Sequence, residues 1–197
     1  GAPAQGVVLL NALSKTFPFV VILILFITFL ILVRTFQSIL LSAKAIILDL
    51  ISIGIAFSAL VVVFKFGVGT YQLEQIEAWV LILLFAILFG LSMDYEIFIV
   101  SRIREAHDRG ASNEEAIREG MRSSGTVVTA AALIFISAVT GLATGHFAGL
   151  QQLGVGLAIG VIVDATIIRG LLLPSAMVLL GRWNWWMPRH GKTPTLK

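Results

Sequence analysis

The chain has 197 residues, of which 58% are hydrophobic and only 13% charged, and it contains no cysteine. A soluble globular domain averages about 45–50% apolar and about 25% charged residues, so this composition excludes an ordinary soluble domain. It indicates a polytopic membrane protein. The formal net charge of +3 does not point to a nucleic-acid partner, because membrane topology explains the basic residues, as described below.

Five apolar segments are long enough to cross a bilayer, which needs about 20 apolar residues per helix. Charged residues delimit the first three, and the uncharged stretch that follows divides at a turn rich in glycine and glutamine between 141 and 154. The predicted spans are about 17–34, 44–66, 78–102, 125–144 and 153–181, with a predicted kink at Pro174. The predicted fold is therefore all-α, a single transmembrane bundle of five helices.

Lysine and arginine residues divide unevenly between the two ends of these spans. Most fall after the first span, after the third, or in the tail: Arg34, Lys44, Arg102, Arg104, Arg109, Arg118, Arg122, Arg182, Arg189, Lys192 and Lys197. Only Lys15 and Lys65 fall at the other end. The positive-inside rule then predicts an N-terminus outside and a C-terminus in the cytoplasm. Trp183, Trp185 and Trp186 would form an interfacial belt at the cytoplasmic exit.

The chain opens on Gly1-Ala2-Pro3-Ala4, with neither an initiator methionine nor a signal peptide. We therefore expect a segment of a longer polypeptide.

Residues 104–122 form the one stretch of soluble character. Ser112 followed by Glu115 fits a capping box, and charged residues recur on one side of the segment. This pattern predicts a short amphipathic helix along the cytoplasmic surface. The alternative is a solvated connector whose only role is to set the orientation of the spans.

Asp94 lies in the third span, eight residues before Arg102 and so about 12 Å inside the boundary. An ionised aspartate at the centre of a bilayer costs about 2.5–3.5 kcal/mol on insertion scales, which predicts a functional group that exchanges protons. Tyr95 supplies a hydroxyl beside it, and Gly90, one turn back, would permit close helix approach. The alternative is a buried aspartate satisfied by serine or threonine hydroxyls.

Three further carboxyl groups lie within the spans. Glu96 is rotated about 200° from Asp94 on an ideal helix, so it points elsewhere, and it fits either a relay or a structural role. Asp164, in the fifth span, fits a second relay group or a hydrogen-bond anchor. Arg169 follows it by five residues, a poor match on an α-helix, so both are predicted to pair with other helices. Asp49 is interpreted as part of a hydrated helix start.

No phosphate loop, metal cluster or Ser-His-Asp set can be recognised, so the chain is predicted not to be an enzyme and to require no metal or cofactor. Two intramembrane aspartates, Asp94 and Asp164, raise the alternative of an intramembrane aspartyl protease. Neither is preceded by the Gly-x-Gly of that class, which disfavours this alternative.

Three stretches carry a resemblance to a known family. Residues 90–135 read GLSMDYEIFIVSRIREAHDRGASNEEAIREGMRSSGTVVTAAALIF, residues 160–188 read GVIVDATIIRGLLLPSAMVLLGRWNWWMP, and residues 33–45 read VRTFQSILLSAKA. Together they resemble the C-terminal membrane half of the MMPL family, within the resistance-nodulation-division superfamily of bacterial exporters. The family tends to show Asn where this chain has Asp49.

The resemblance implies a transporter of two related halves, each with one helix, a large extracytoplasmic domain and then five more helices. This chain would be the five helices that follow the second such domain. Asp94 and Tyr95 match the proton-relay pair of the family, which faces a second Asp-Tyr pair from the other half. Asp164 matches the aspartate of the last helix, and Gly90, Glu96 and Asp164 are assigned supporting roles.

The resemblance therefore predicts part of an exporter of lipid-like or hydrophobic substrates, driven by the proton-motive force, in the cytoplasmic membrane of a bacterium. Its partners would be the bilayer, the N-terminal half, the extracytoplasmic domains and the substrate. A non-transporting sensor or scaffold of the same fold is the alternative, because fold alone does not determine function.

Overall fold

A computed structural model of the protein describes residues 2–66 and 76–185, with side chains from residue 16 onward except that of residue 182. Trp186 and the basic tail residues Arg189, Lys192 and Lys197, on which the predicted topology partly rests, lie outside the described residues. The same applies to the side chains of Lys15 and Arg182.

Long helices make up nearly all of the described chain, and those residues include no β-strand. The helices are α1 (Ala2–Phe36), α2 (Ile39–Lys65), α3 (Ala78–Asp108), α4 (Asn113–Ala143), α5 (Ala148–Val163), a π-helix (Asp164–Leu172), α6 (Leu173–Leu180) and a 3₁₀-helix (Gly181–Trp185). The segment from α5 to α6 runs as one rod, Ala148–Leu180, and with α1–α4 it gives five helices long and apolar enough to cross a membrane. This confirms the predicted five-span bundle.

The fifth span packs at the centre of the bundle, against α2, α3 and α4. Gly156 and Gly160, four residues apart on α5, allow this approach, as small residues at this spacing do between membrane helices. A Cβ atom on Gly160 would lie 2.5 Å from Leu88 Cδ1 on α3 and 3.2 Å from Ala56 Cβ on α2. A larger residue at that crossing would require the Leu88 side chain to move.

The first helix lies at the edge of the bundle. Much of its surface is exposed, with Phe19 at 68% and Phe26 at 59%, as expected of a helix that faces lipid or another protein segment. Its last turns are held more firmly, because Leu32 and Phe36 are buried and Arg104 on α3 donates a hydrogen bond to the Phe36 carbonyl oxygen.

Residues 104–122 do not form a separate helix on the surface. They comprise the end of α3, a turn at Arg109–Ser112 with Gly110 at a φ of 98°, and the start of α4. The predicted capping box between Ser112 and Glu115 is present and begins α4. Apolar contacts explain the difference from the prediction, since Ile103 and Ile117 are buried in the bundle core and extend both helices to the turn.

The 3₁₀-helix closes the same end of the bundle. Trp185 donates from Nε1 to Asn113 Oδ1 at 3.2 Å, and its ring stacks on His107 with 4.2 Å between centroids. Asn184 donates from Nδ2 to the Met177 carbonyl oxygen at 2.6 Å. These contacts hold the end of the last span against the α3–α4 turn.

Candidate functional site

Helix α3 presents two sets of functional side chains on opposite faces. Residues four apart share a face of an α-helix, so Gly90 and Asp94 form one set and Ser92 and Glu96 the other. Gly90 and Asp94 are exposed, whereas Ser92 and Glu96 are 4% and 3% exposed. One face therefore points out of this bundle and the other into its core.

The outward face brings Asp94 to the surface of the bundle. Its carboxylate makes no hydrogen bond or ion pair with another residue that the structure describes. A Cβ atom on Gly90 would meet nothing within 4 Å, so the close approach predicted for Gly90 is not made within the described bundle. The alternative prediction, that serine or threonine hydroxyls hydrogen-bond to Asp94, is not what the structure shows. The Ser92 hydroxyl instead contacts Asp49 and Asp164.

The π-helix pairs Asp164 with Arg169 within one helix. Arg169 Nε lies 2.6 Å from Asp164 Oδ2, and both side chains are buried. The prediction that a spacing of five residues is too poor for an intrahelical pair is therefore wrong. A π-helix hydrogen-bonds from residue i to i+5, so residues five apart come onto one face. Pro174, which lacks the N–H that an α-helical turn would use, follows this wider stretch.

Ser92 lies between two acidic side chains from different helices. Its Oγ is within hydrogen-bond distance of Asp49 Oδ1 on α2 and is 2.9 Å from Asp164 Oδ1 in the π-helix. Arg169 donates from Nη2 to the same Oγ at 2.8 Å and also to the Ser92 carbonyl oxygen. One hydroxyl thus joins α2, α3 and the last span.

Two more charged side chains complete this group. Glu96 lies one turn beyond Ser92 and borders a narrow gap with Asp49 and Arg169, and Lys44 is near enough to Glu96 for their charges to interact. We refer to the whole set as the ionic cluster, and its members are Lys44, Asp49, Ser92, Glu96, Asp164 and Arg169. Every member is at most 9% exposed.

Burial of Asp49 corrects a prediction. Asp49 is 1% exposed and contacts Ser92, so it is not part of a hydrated helix start. Glu96 points away from Asp94, as its position on the helix predicts, and lies in the bundle core. The spacing of Ser92 and Glu96 could have indicated the inward face from the sequence. They lie four residues apart and so share a face of α3, and each is two residues from Asp94, which places that face opposite Asp94.

Tyr95 connects the two faces of α3. It is half-buried, and the Arg169 guanidinium lies over its ring at 5.1 Å from the centroid, a cation–π distance. Its electrostatic neighbours include both Asp94 and Asp164. The predicted pair of Asp94 and Tyr95 is thus joined to the last span through Arg169.

Arg169 also borders a pocket of about 110 Å³ between α3, α4 and the π-helix. Ser124 and Thr129 are among the residues that line it. A water molecule takes about 30 Å³ in the liquid, so the pocket has room for a few waters beside the cluster.

A bundle of five long apolar helices is the architecture of a polytopic membrane protein, and the comparisons with known proteins agree. The model of the MMPL family matches residues 1–196. This chain belongs to the MMPL family and is a multi-pass membrane protein.

Three relatives illustrate the likeness. The putative membrane protein SCO6666 of Streptomyces coelicolor is 43% identical over 71% of this chain. The heme uptake protein MmpL11 of Mycobacterium tuberculosis is 38% identical over 91% of it. The trehalose monomycolate exporter MmpL3 of the same organism is 35% identical over 98%. The chain spans only 21%, 19% and 21% of their respective lengths.

Proposed function

We propose that this chain is one membrane half of a transporter driven by the proton-motive force, and that Asp94 and Tyr95 supply half of its proton relay. Its N-terminus is outside the membrane and its C-terminus in the cytoplasm. The complete transporter moves a lipid-like, hydrophobic substrate.

The outward position of Asp94 is the observation that carries this proposal. An aspartate at this depth costs about 2.5–3.5 kcal/mol if it faces lipid while ionised. The bundle offers it no ion pair among the described residues, although it satisfies Asp164 inside. Gly90 leaves the same face open one turn away. Such a face fits a polar helix from the other half of the transporter, which would place an opposing relay pair against Asp94.

Tyr95 and Arg169 supply a route from protonation to movement. When Asp94 gains a proton, its charge no longer acts on Tyr95, whose ring lies against Arg169. Arg169 belongs to the last span and is fixed to Asp164. A change at Asp94 therefore alters the packing between α3 and the last span, and that rearrangement drives the transport cycle.

The substrate class rests on relatives rather than on this bundle. One relative is named an exporter of trehalose monomycolate and another a heme uptake protein, and both of these molecules have a large apolar part. We propose export of the lipid-like class. Groups that select the substrate would lie in extracytoplasmic domains outside this chain.

The test is Asp94→Asn in the intact polypeptide, reconstituted in vesicles with an imposed proton gradient. We expect transport of a fluorescent lipid-like substrate to fall to the level of empty vesicles, because Asn cannot exchange a proton. Glu105→Gln is the matched control, since it removes an exposed carboxyl near the end of the same helix and should transport normally.

Normal transport by folded Asp94→Asn would contradict the relay role of Asp94. Absence of gradient-dependent transport by the unsubstituted protein would favour a non-transporting sensor or scaffold. Heme in place of the lipid separates the two substrate classes. Gradient-dependent movement of heme alone would keep the relay and overturn the lipid assignment.

A further inference from the structure

We propose that Asp49 binds a proton, and that this proton completes the hydrogen bonding of the Ser92 hydroxyl in the ionic cluster. The site lies on the inward side of α3, opposite the Asp94 face. It goes beyond the proposed transport function, because its occupancy depends only on groups within this bundle.

The hydrogen bonds around Ser92 require this proton. A serine hydroxyl has one hydrogen to donate and two lone pairs that accept. Arg169 donates to the Ser92 oxygen, and two carboxyl groups, those of Asp49 and Asp164, lie against the same oxygen. Ser92 can donate to only one of them, so the other contact needs a hydrogen from the carboxyl itself.

Asp49 is the carboxyl that supplies the hydrogen. Asp164 accepts a hydrogen bond from Arg169 Nε at 2.6 Å, and an arginine side chain stays protonated. Asp164 is therefore the ionised partner and accepts from Ser92. Asp49 then donates to Ser92, and every hydrogen and lone pair of that hydroxyl is used.

The charges of the cluster also indicate one protonated carboxyl group. The groups that act electrostatically on Asp49 are Glu96, Asp164 and Arg169, and Lys44 acts on Glu96 in turn. Arg169 balances Asp164 and Lys44 balances Glu96, which leaves one carboxyl without a counter-charge. An uncompensated buried charge is strongly destabilising. One proton on Asp49 makes the cluster neutral.

The space at Asp49 suits a proton and nothing larger. Asp49 Oδ2 and Glu96 Oε1 are buried and have no hydrogen-bond partner among the described residues, yet the gap that they border with Arg169 has no space for a water molecule. Within residues 2–66 and 76–185, no group of three or more His, Cys, Asp or Glu side chains is placed to hold a metal ion. Arg169 would also repel a metal cation. Water has room nearby on the other side of the arginine, in the pocket of about 110 Å³ that Arg169 borders.

Infrared difference spectroscopy of the intact polypeptide in lipid nanodiscs tests the site. At neutral pH we expect the C=O stretch of a protonated carboxyl that is present in the unsubstituted protein and absent in Asp49→Asn. The Asn amide donates to Ser92 as the protonated carboxyl does, so this variant keeps the network. Asp94→Asn is the matched control on the opposite face, and the Asp49 band should remain in it.

A second substitution tests the charge count. Lys44→Gln removes the counter-charge of Glu96, so we expect a second protonated carboxyl band, which disappears when Glu96→Gln is added. Persistence of the first band in Asp49→Asn would overturn the assignment to Asp49. A band that responds to Na⁺ at fixed pH would overturn it in favour of a metal cation.

If Asp49→Asn does not fold, isotope labelling can assign the band to an aspartate or a glutamate without a substitution at Asp49. In Asp94→Asn protein carrying carboxyl-labelled aspartate, the band should shift, and with labelled glutamate it should not. A shift with labelled glutamate alone would contradict the proposal.

Discussion

The two faces of α3 treat acidic side chains in opposite ways. On the inward face, Ser92 and Glu96 lie close to acidic and basic side chains from α2 and the last span, and every member of the ionic cluster is buried. On the outward face, Asp94 stands beside Gly90 with no ion pair among the described residues. The helix thus carries one charged site that is surrounded by charged and polar groups of the bundle and one that the bundle leaves to a neighbour.

This difference separates structure from transport chemistry. Groups in the ionic cluster hold three helices together, so their loss should first reduce stability. Asp94 contributes no such contact, and its loss should first reduce proton-driven transport. Two measurements can therefore distinguish the faces of α3. Substitutions on the inward face should change the free energy of unfolding, and substitutions of Asp94 should change the transport rate.

Arg169→Met should have the largest effect on stability. Removal of the guanidinium leaves Asp164 buried without its counter-charge, which costs about 3–5 kcal/mol for a buried ion pair broken on one side. The measurement is the free energy of unfolding in mixed micelles, followed by tryptophan fluorescence.

Arg102→Met is the control for that change. Arg102 pairs with Glu105 at 3.0 Å, but both side chains are about half exposed, and exposed pairs contribute only about 0–1 kcal/mol. Equal losses in the two arginine variants would show that the cluster does not stabilise the bundle.

Ser92→Ala should have a smaller effect on the same face. Without the hydroxyl, Asp49 and Asp164 each lose a hydrogen-bond partner in the core, and an unsatisfied buried group costs about 1–3 kcal/mol. Ser137→Ala is the matched control, because Ser137 is exposed and bonds only to the Leu133 carbonyl oxygen of its own helix. The same unfolding measurement applies, and a neutral Ser92→Ala would contradict the bridging role of Ser92.

Gly90→Ala should have the smallest effect, and of opposite sign. Alanine is favoured over glycine within a helix by about 1 kcal/mol, and the added Cβ meets nothing within 4 Å. Gly120→Ala provides the contrast, because its Cβ would lie 2.7 Å from the Ile103 backbone nitrogen, and overpacking costs about 1–3 kcal/mol. Thermal unfolding of both variants of this chain checks the pair, and destabilisation by Gly90→Ala would show that the outward face is already covered.

Features set by local sequence could be predicted. Long apolar runs define the five spans, because each must satisfy its backbone hydrogen bonds within the membrane. The capping box at Ser112 and Glu115 follows from two residues at fixed spacing. The close contact at Gly160 follows from small residues four apart.

The ionic cluster could not be predicted in the same way. Asp49 meets Ser92 and Asp164 only because α2, α3 and the last span cross at one point, and no local pattern gives that crossing. The pair of Asp164 and Arg169 is missed because the prediction uses an α-helical period, whereas the π-helix brings residues five apart together. The role of the outward face also depends on what lies beyond this chain, so Asp94 stays a prediction until its partner is tested.

The π-helix has a consequence for reading the end of the chain. Each of its turns holds about one residue more than an α-turn, so over the two turns of Asp164–Leu172 the later residues lag by about half a rotation. A helical wheel drawn at 3.6 residues per turn from α5 would therefore direct Met177 away from the core. In the structure, Met177 lies in the core and is fully buried. A deletion of one residue within this stretch would rotate α6 and the 3₁₀-helix relative to α5, and Trp185 would no longer reach Asn113.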